Sequence, residues 1–119
     1  MHEAGTAGLR TFFRIADRWK LTDYEQARIL GLNVIPELDT LRSGGAPQLQ
    51  AATLERLSYV FGIYQAINTL LPIPARADNW IRAANSAAIF GGRAPIDRMA
   101  GGSVTDLQAV RHYLDAQLV

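Results

Sequence analysis

Apolar residues recur at helical spacing from one end of this 119-residue chain to the other. No β-branched or aromatic run lies between hairpin turns, so strands have almost no support and the chain reads as all-α. Leu9, Phe12, Phe13, Ile15, Ala16 and Trp19 share one face of a first helix that Thr6 can cap, and Arg10, Arg14, Asp17 and Arg18 lie mostly off that face. Leu54, Leu57, Phe61, Tyr64, Ala66, Ile67, Leu70 and Leu71 give a broad apolar stripe to the longest helix, residues 49–71. Gly62 inside that helix costs about 1 kcal/mol relative to Ala, which close approach by another helix would explain. Val104, Leu107, Val110, Tyr113 and Leu114 form the buried face of a last helix.

The breaks between helices are written in cap and turn residues. Thr22-Asp23-Tyr24-Glu25 is a capping box, in which the Thr22 hydroxyl accepts the Glu25 amide and the Glu25 carboxylate reaches back. That second helix runs to Leu30, where Gly31 stops it. A short third helix follows over residues 36–42, with Pro36 in its first turn. Ser43-Gly44-Gly45-Ala46-Pro47 is a loop and the best boundary between two halves, residues 1–47 and 48–119. After Pro72-Ile73-Pro74 the pattern predicts a short helix through Trp80, another through Ala88, and a third opened by Pro95. Ser103, with Asp106 three residues on, repeats the capping logic before the last helix.

Composition excludes several classes. A net charge of +1, from 12 basic and 11 acidic residues, is too weak a footprint for nucleic-acid binding by charge alone. With no cysteine there is no disulfide, thiolate chemistry or Cys-bound metal. No apolar run approaches the roughly 20 residues that span a bilayer, and the first residues lack the basic region and continuous apolar run expected of a signal peptide. The expectation is a cytoplasmic protein that does not engage a membrane.

Catalytic machinery has little support. The histidines are His2, at the N-terminus, and His112, beside the buried face of the last helix, and neither sits in a metal-binding spacing. Ser86 and Ser103 fit helix caps better than nucleophiles. Gly91-Gly92 and Gly101-Gly102 fit helix ends better than a phosphate cradle. The reading is a non-enzyme with no cofactor and no metal.

Residues 22–42 follow the outline of a helix-turn-helix, with Ala27 as the small packing residue, Gly31 at the turn, and Leu38 and Leu41 fixing the next helix. Lys20, Arg28, Asn33, Thr40 and Arg42 are its candidate DNA contacts. The helix that would read bases carries Glu37 and Asp39, which repel phosphate but suit a helix N-terminus. Arg10, Arg14 and Arg18, at successive i, i+4 steps, read as a solvated face.

Residues 80–97 stand apart. A tryptophan-bearing turn meets Asn85-Ser86, a short apolar run stops at Gly91-Gly92, and Pro95 starts something new. So many short elements expose helix ends and loop amides, which is material for recognising a partner. Trp80, Asn85, Gly92, Pro95-Ile96-Asp97 and Gly102, in this order and followed by Val104 and an amphipathic helix, resemble the toxin-binding domain of the Xre/MbcA/ParS antitoxins. The resemblance covers about residues 53–116, and the helix-turn-helix outline matches the family's usual N-terminal half.

The resemblance implies an Xre-like helix-turn-helix half joined by a long helix to a small helical toxin-binding domain. It implies an antitoxin of a two-gene pair that neutralises a RES-domain toxin, one that consumes NAD or transfers ADP-ribose, by covering access to its active site. It also implies a homodimer or a toxin–antitoxin hetero-oligomer, with operator DNA as a second partner. The candidate toxin contacts are Trp80, Arg82, Asn85, Arg93, Pro95, Arg98, Arg111, Gln117, Leu118 and Val119. The alternative is a DNA-binding repressor, acting for instance on its own operon, whose C-terminal half only dimerises.

Overall fold

The computed structural model describes residues 2–44 and 49–119, with side chains from Ala7 onward. Among these residues the structure is all helical: α1 (His2–Arg18), α2 (Asp23–Leu30), α3 (Ile35–Arg42), α4 (Ala51–Leu70), α5 (Pro74–Trp80), α6 (Pro95–Met99) and α7 (Val104–Gln117). α1 starts four residues before Thr6, because Glu3 and Ala4 favour helix and no proline precedes them. The loop expected over residues 43–47 shows a turn at Ser43 and Gly44, and the rest of it lies outside the described residues.

The caps around α2 match their sequence signals. Glu25 N–H donates to Thr22 Oγ1 at 3.1 Å, and Thr22 N–H donates to Glu25 Oε1 at 2.9 Å. Gly31 ends the helix with φ 75°, a left-handed geometry that glycine adopts without a Cβ penalty. Ala27, Leu38 and Leu41 are buried, as a packed helix-turn-helix pair requires. Glu37 Oε1 accepts the Asn33 and Val34 amides at 3.3 Å, so this acidic residue caps α3.

α4 is the central strut. It packs most extensively on α7, and also on α1, α2 and α5. One hydrophobic cluster consequently runs through all seven helices, from Leu9 and Phe12 through Ile29, Leu38, Val60, Ala77 and Ile96 to Leu107 and Val110. This placement corrects the stripe expected for α4. Val60 and Ile63 are fully buried, whereas Leu54 is exposed and Phe61, Tyr64, Leu70 and Leu71 are only partly covered. A helix gripped from several sides does not have one apolar face, so its periodicity under-reports the buried positions. Gly62 lies beneath the Arg111 guanidinium of α7.

The largest departure lies between α5 and α6. No helix runs through Ala88, and residues 81–94 are turns and irregular chain. Asn85 Oδ1 accepts the Ala87 amide at 2.9 Å, an Asx turn that takes a donor a helix would use. Ser86 therefore caps no helix, and Gly91 and Gly92 are turn residues with φ 60° and 86° instead of helix C-caps. At α7 the cap is half of the expected one. Ser103 Oγ accepts the Thr105 amide at 3.2 Å, but the Asp106 carboxylate turns away to Arg98.

Candidate functional site

The irregular segment is held at its root, at its neck and from beneath. At the root, Ile96 N–H donates to Ile81 O at 2.9 Å, so α6 closes back on the end of α5. At the neck, Asn85 N–H donates to Arg93 O at 3.1 Å and Gly92 N–H to Asn85 O at 3.0 Å. Beneath, Trp80, Phe90 and Tyr113 form an edge-to-face ladder with ring centroids 5.8 and 5.4 Å apart. The ladder ties the end of α5, the loop and α7 together. Pro95, Ile96 and Met99 are buried below it. The loop is thus fixed by backbone pairing and aromatic packing, as a recognition surface formed before binding requires.

Three of the four arginines expected at a partner's surface also bond within the chain. Arg82 donates Nε to Trp19 O at 2.9 Å and Nη2 to Lys20 O at 2.6 Å. Its Nη1 reaches Glu25 Oε2 at 3.1 Å, and its Nη2 makes a close contact with Oε1 of the same carboxylate. Arg82 therefore caps the end of α1 and pairs with the capping-box glutamate of α2. Burial alone would push the Glu25 carboxyl up, but the Arg82 bonds and the Thr22 amide overcome it and hold the group below its ordinary range. The bond to Glu25 in turn raises Arg82. Lys20, whose carbonyl Arg82 holds, has φ 55°, a left-handed geometry that non-glycine residues seldom adopt.

Arg98 donates Nε to Asp106 Oδ1 at 2.9 Å and Nη1 to Ile89 O at 3.0 Å, binding the loop to α7. Arg111 lies along α4, with Nη1 3.4 Å from Ser58 O and Nε 3.6 Å from Asp115. Arg93 differs from these three: its side chain is 76% exposed and, among the described residues, pairs with Asp97 alone, at 3.4 Å. Sequence reasoning missed this sorting because, apart from Asp115 one turn from Arg111, the acceptors are carbonyls and carboxylates of other elements, 8 to 63 residues away.

The DNA candidates sort in the same way. Arg28 donates Nε to Ala100 O at 3.2 Å and Nη2 to Gly101 O at 2.6 Å. Beside it Arg56, which the sequence reading did not single out, donates to Arg28 O and Ile29 O at 3.3 Å and to Gly102 O at 2.9 Å. These two arginines clamp the end of α2 to the turn between α6 and α7. Arg42 reaches Asp23 at 2.6 Å and Gln26 at 3.1 Å. Lys20, Asn33 and Thr40 are exposed. Arg10 and Arg14 face solvent, and Arg18 pairs with Asp78 at 3.2 Å.

Two further features complete the C-terminal surface. Ile67, Leu70, Leu71, Trp80, Tyr113, Leu114 and Gln117 line a groove of about 240 Å³ between the ends of α4, α5 and α7. Next to Gln117, Leu118 and Val119 leave α7 exposed. His112 is also exposed, and the His2 side chain lies outside the described residues. Among the described residues no group of three or more His, Asp or Glu side chains is placed to hold a metal, and no helix is long and apolar enough to cross a membrane.

The C-terminal part is thus a small helical scaffold that holds one pinned irregular loop beside an apolar groove. Residues 66–117 match the family described as the antitoxin Xre/MbcA/ParS C-terminal toxin-binding domain. The chain is also 44% identical, over 115 residues, to the uncharacterized protein y4oB of Sinorhizobium fredii (strain NBRC 101917 / NGR234), covering 93% of this chain and 84% of that protein. No solved structure matches it significantly. The chain belongs to the Xre/MbcA/ParS antitoxin family; its role is that of an antitoxin, and its partner is a toxin.

Proposed function

We propose that this chain acts in the cytoplasm and neutralises a RES-domain toxin, one that consumes NAD or transfers ADP-ribose, by binding over the entrance to its active site. The observation that carries the reading is the rigid surface within residues 66–117, where the matched toxin-binding domain presents its pinned loop and, just beyond, the exposed Leu118 and Val119. In this reading Trp80, Asn85, Arg93, Gln117, Leu118 and Val119 meet the toxin. Pro95, which is buried, and Arg82, Arg98 and Arg111, through their intrachain bonds, hold that surface in shape. The chain acts by occlusion rather than catalysis, as a homodimer or within a toxin–antitoxin hetero-oligomer. Residues 48–119 carry this role and residues 1–47 form the helix-turn-helix half.

The test is co-expression with the product of the neighbouring reading frame. The reading expects that product to arrest growth alone, to deplete NAD or attach ADP-ribose to a target, and to become harmless with this chain present. A neighbour that is harmless alone, or equally toxic in both cases, refutes it.

A second role, repression of the chain's own operon, is supported by the packed α2–turn–α3 geometry. Lys20, Asn33 and Thr40 are its exposed contacts, with the Thr40 hydroxyl still free to accept while it donates to Pro36 O; Arg28 and Arg42 are bonded within the chain. Mobility shift of promoter DNA, with the salt dependence that phosphate contacts impose, decides it.

A further inference from the structure

A groove lies between the ends of α4, α5 and α7. Its walls are Leu70, Leu71, Trp80, Tyr113 and Leu114, with Gln117 as the polar member at its edge. Trp80, Tyr113, Leu70 and Leu71 are each only partly covered by the chain itself. Large apolar side chains left half-wet around one depression mark a contact site more than a packing remnant.

Three observations indicate what covers it. Every lining residue lies within residues 66–117, the part of the chain that matches a toxin-binding domain, so the groove belongs to the half that meets a toxin. Its two aromatic walls are braced by Phe90 at 5.8 and 5.4 Å, so the pocket exists before a partner arrives. No lysine, arginine or carboxylate lines it, so its complement is an uncharged apolar group. The cavity has the volume of about eight liquid waters, at ~30 Å³ each. A leucine- or phenylalanine-sized side chain would displace much of that water. Such aromatic-walled pockets receive the anchor residues that dominate an interface.

We propose that this groove is the anchor site for the toxin: an apolar side chain of the toxin inserts between Trp80 and Tyr113, apart from whatever Leu118 and Val119 contact. The inference rests on the toxin-binding reading above and adds where the binding free energy concentrates and what chemistry it selects.

The two tryptophans make it testable, since Trp19 is 1% exposed in the core and Trp80 forms a groove wall. The full chain is labelled with 5-fluorotryptophan, Trp80→Phe assigns the two ¹⁹F lines, and the unlabelled product of the neighbouring reading frame is titrated in. The expected result is a shift of the Trp80 line with loss of its H₂O/D₂O solvent-isotope effect, while the Trp19 line stays in place. Gln117→Trp, at an exposed position, should plug the groove and weaken the complex at least tenfold, with an unchanged melting temperature for the chain alone.

A complex that forms with the Trp80 line unmoved, or that tolerates Gln117→Trp with unchanged affinity, overturns the groove assignment and leaves the antitoxin reading standing. A neighbour product that does not bind the wild-type chain at all overturns both. If the Trp80 line instead shifts with the chain's own concentration, and sedimentation shows a dimer, the occupant is a second copy and the proposal is wrong.

Discussion

Arg82→Ala should lower the stability of the chain by about 2–4 kcal/mol while leaving the partner-facing surface intact in the molecules that remain folded. The wild-type guanidinium serves two carbonyls at the end of α1, Trp19 O at 2.9 Å and Lys20 O at 2.6 Å. Returning each to water costs about 0.5–1 kcal/mol, the net value of an ordinary hydrogen bond. The Glu25 pair adds more than a surface ion pair, since the side chains are 15% and 32% exposed. It adds less than a fully buried pair, whose breaking costs roughly 3–5 kcal/mol. About 1–2 kcal/mol is a fair middle value. Urea denaturation followed by circular dichroism reads the total. A double-mutant cycle with Glu25→Gln isolates the pair, since glutamine still accepts the Thr22 amide through its own oxygen, and a coupling of about 1–2 kcal/mol is expected. An Arg82→Ala chain within 0.5 kcal/mol of wild type, or a cycle with no coupling, would refute the reasoning. So would a folded Arg82→Ala chain that binds toxin tenfold more weakly, because Arg82 would then be a contact.

Three further outcomes follow from the same geometry. The Glu25 pKa is depressed in the folded chain, so its contribution is fully present above the unfolded carboxyl value of about 4.3 and is lost as pH falls through the folded value; the stability gap between wild type and Arg82→Ala should shrink as pH falls below about 4.3 in urea midpoints. Gly31→Ala places a Cβ at φ 75°, 2.7 Å from Arg56 Nε, and should cost about 1–2 kcal/mol by the same measurement. Gly62→Ala should instead gain about 0.5 kcal/mol. The displaced group, with Nε 2.5 Å from the new Cβ, is the swinging end of Arg111, and its weak bonds are worth less than the roughly 1 kcal/mol of helix propensity recovered; destabilisation beyond 1 kcal/mol would mean that Arg111 cannot move aside.

Helix positions were legible where the signal is local. Thr22 and Glu25, Gly31, Pro36, Pro74 and Pro95 each act within four residues, and each stands at or near the helix end that its chemistry requires. The helix expected through Ala88 was misread because its apolar residues make a single turn, closed by Gly91 N–H to Ala87 O at 3.1 Å, that does not continue. Asn85 claims the Ala87 amide, and the pairing of Asn85 with Gly92 and Arg93 closes the chain on itself. Trp80, Asn85 and Pro95 pointed to a segment inside the matched toxin-binding domain. Periodicity does not show that Trp80 is a groove wall, that Asn85 is a turn-former, or that Pro95 is buried.

The amino-acid sequence by itself determined that this protein is helical, where most of its helices end, and which family it joins, because caps, turn residues and motif order act over a few positions. Only the tertiary structure decided what its arginines do. A guanidinium goes to whichever carbonyls and carboxylates the fold brings within 3 Å or so. Arg82 finds them at the corner of α1 and α2, Arg28 and Arg56 at the turn before α7, and Arg98 on α7 and the loop, leaving Arg93 as the cation that the loop presents to solvent.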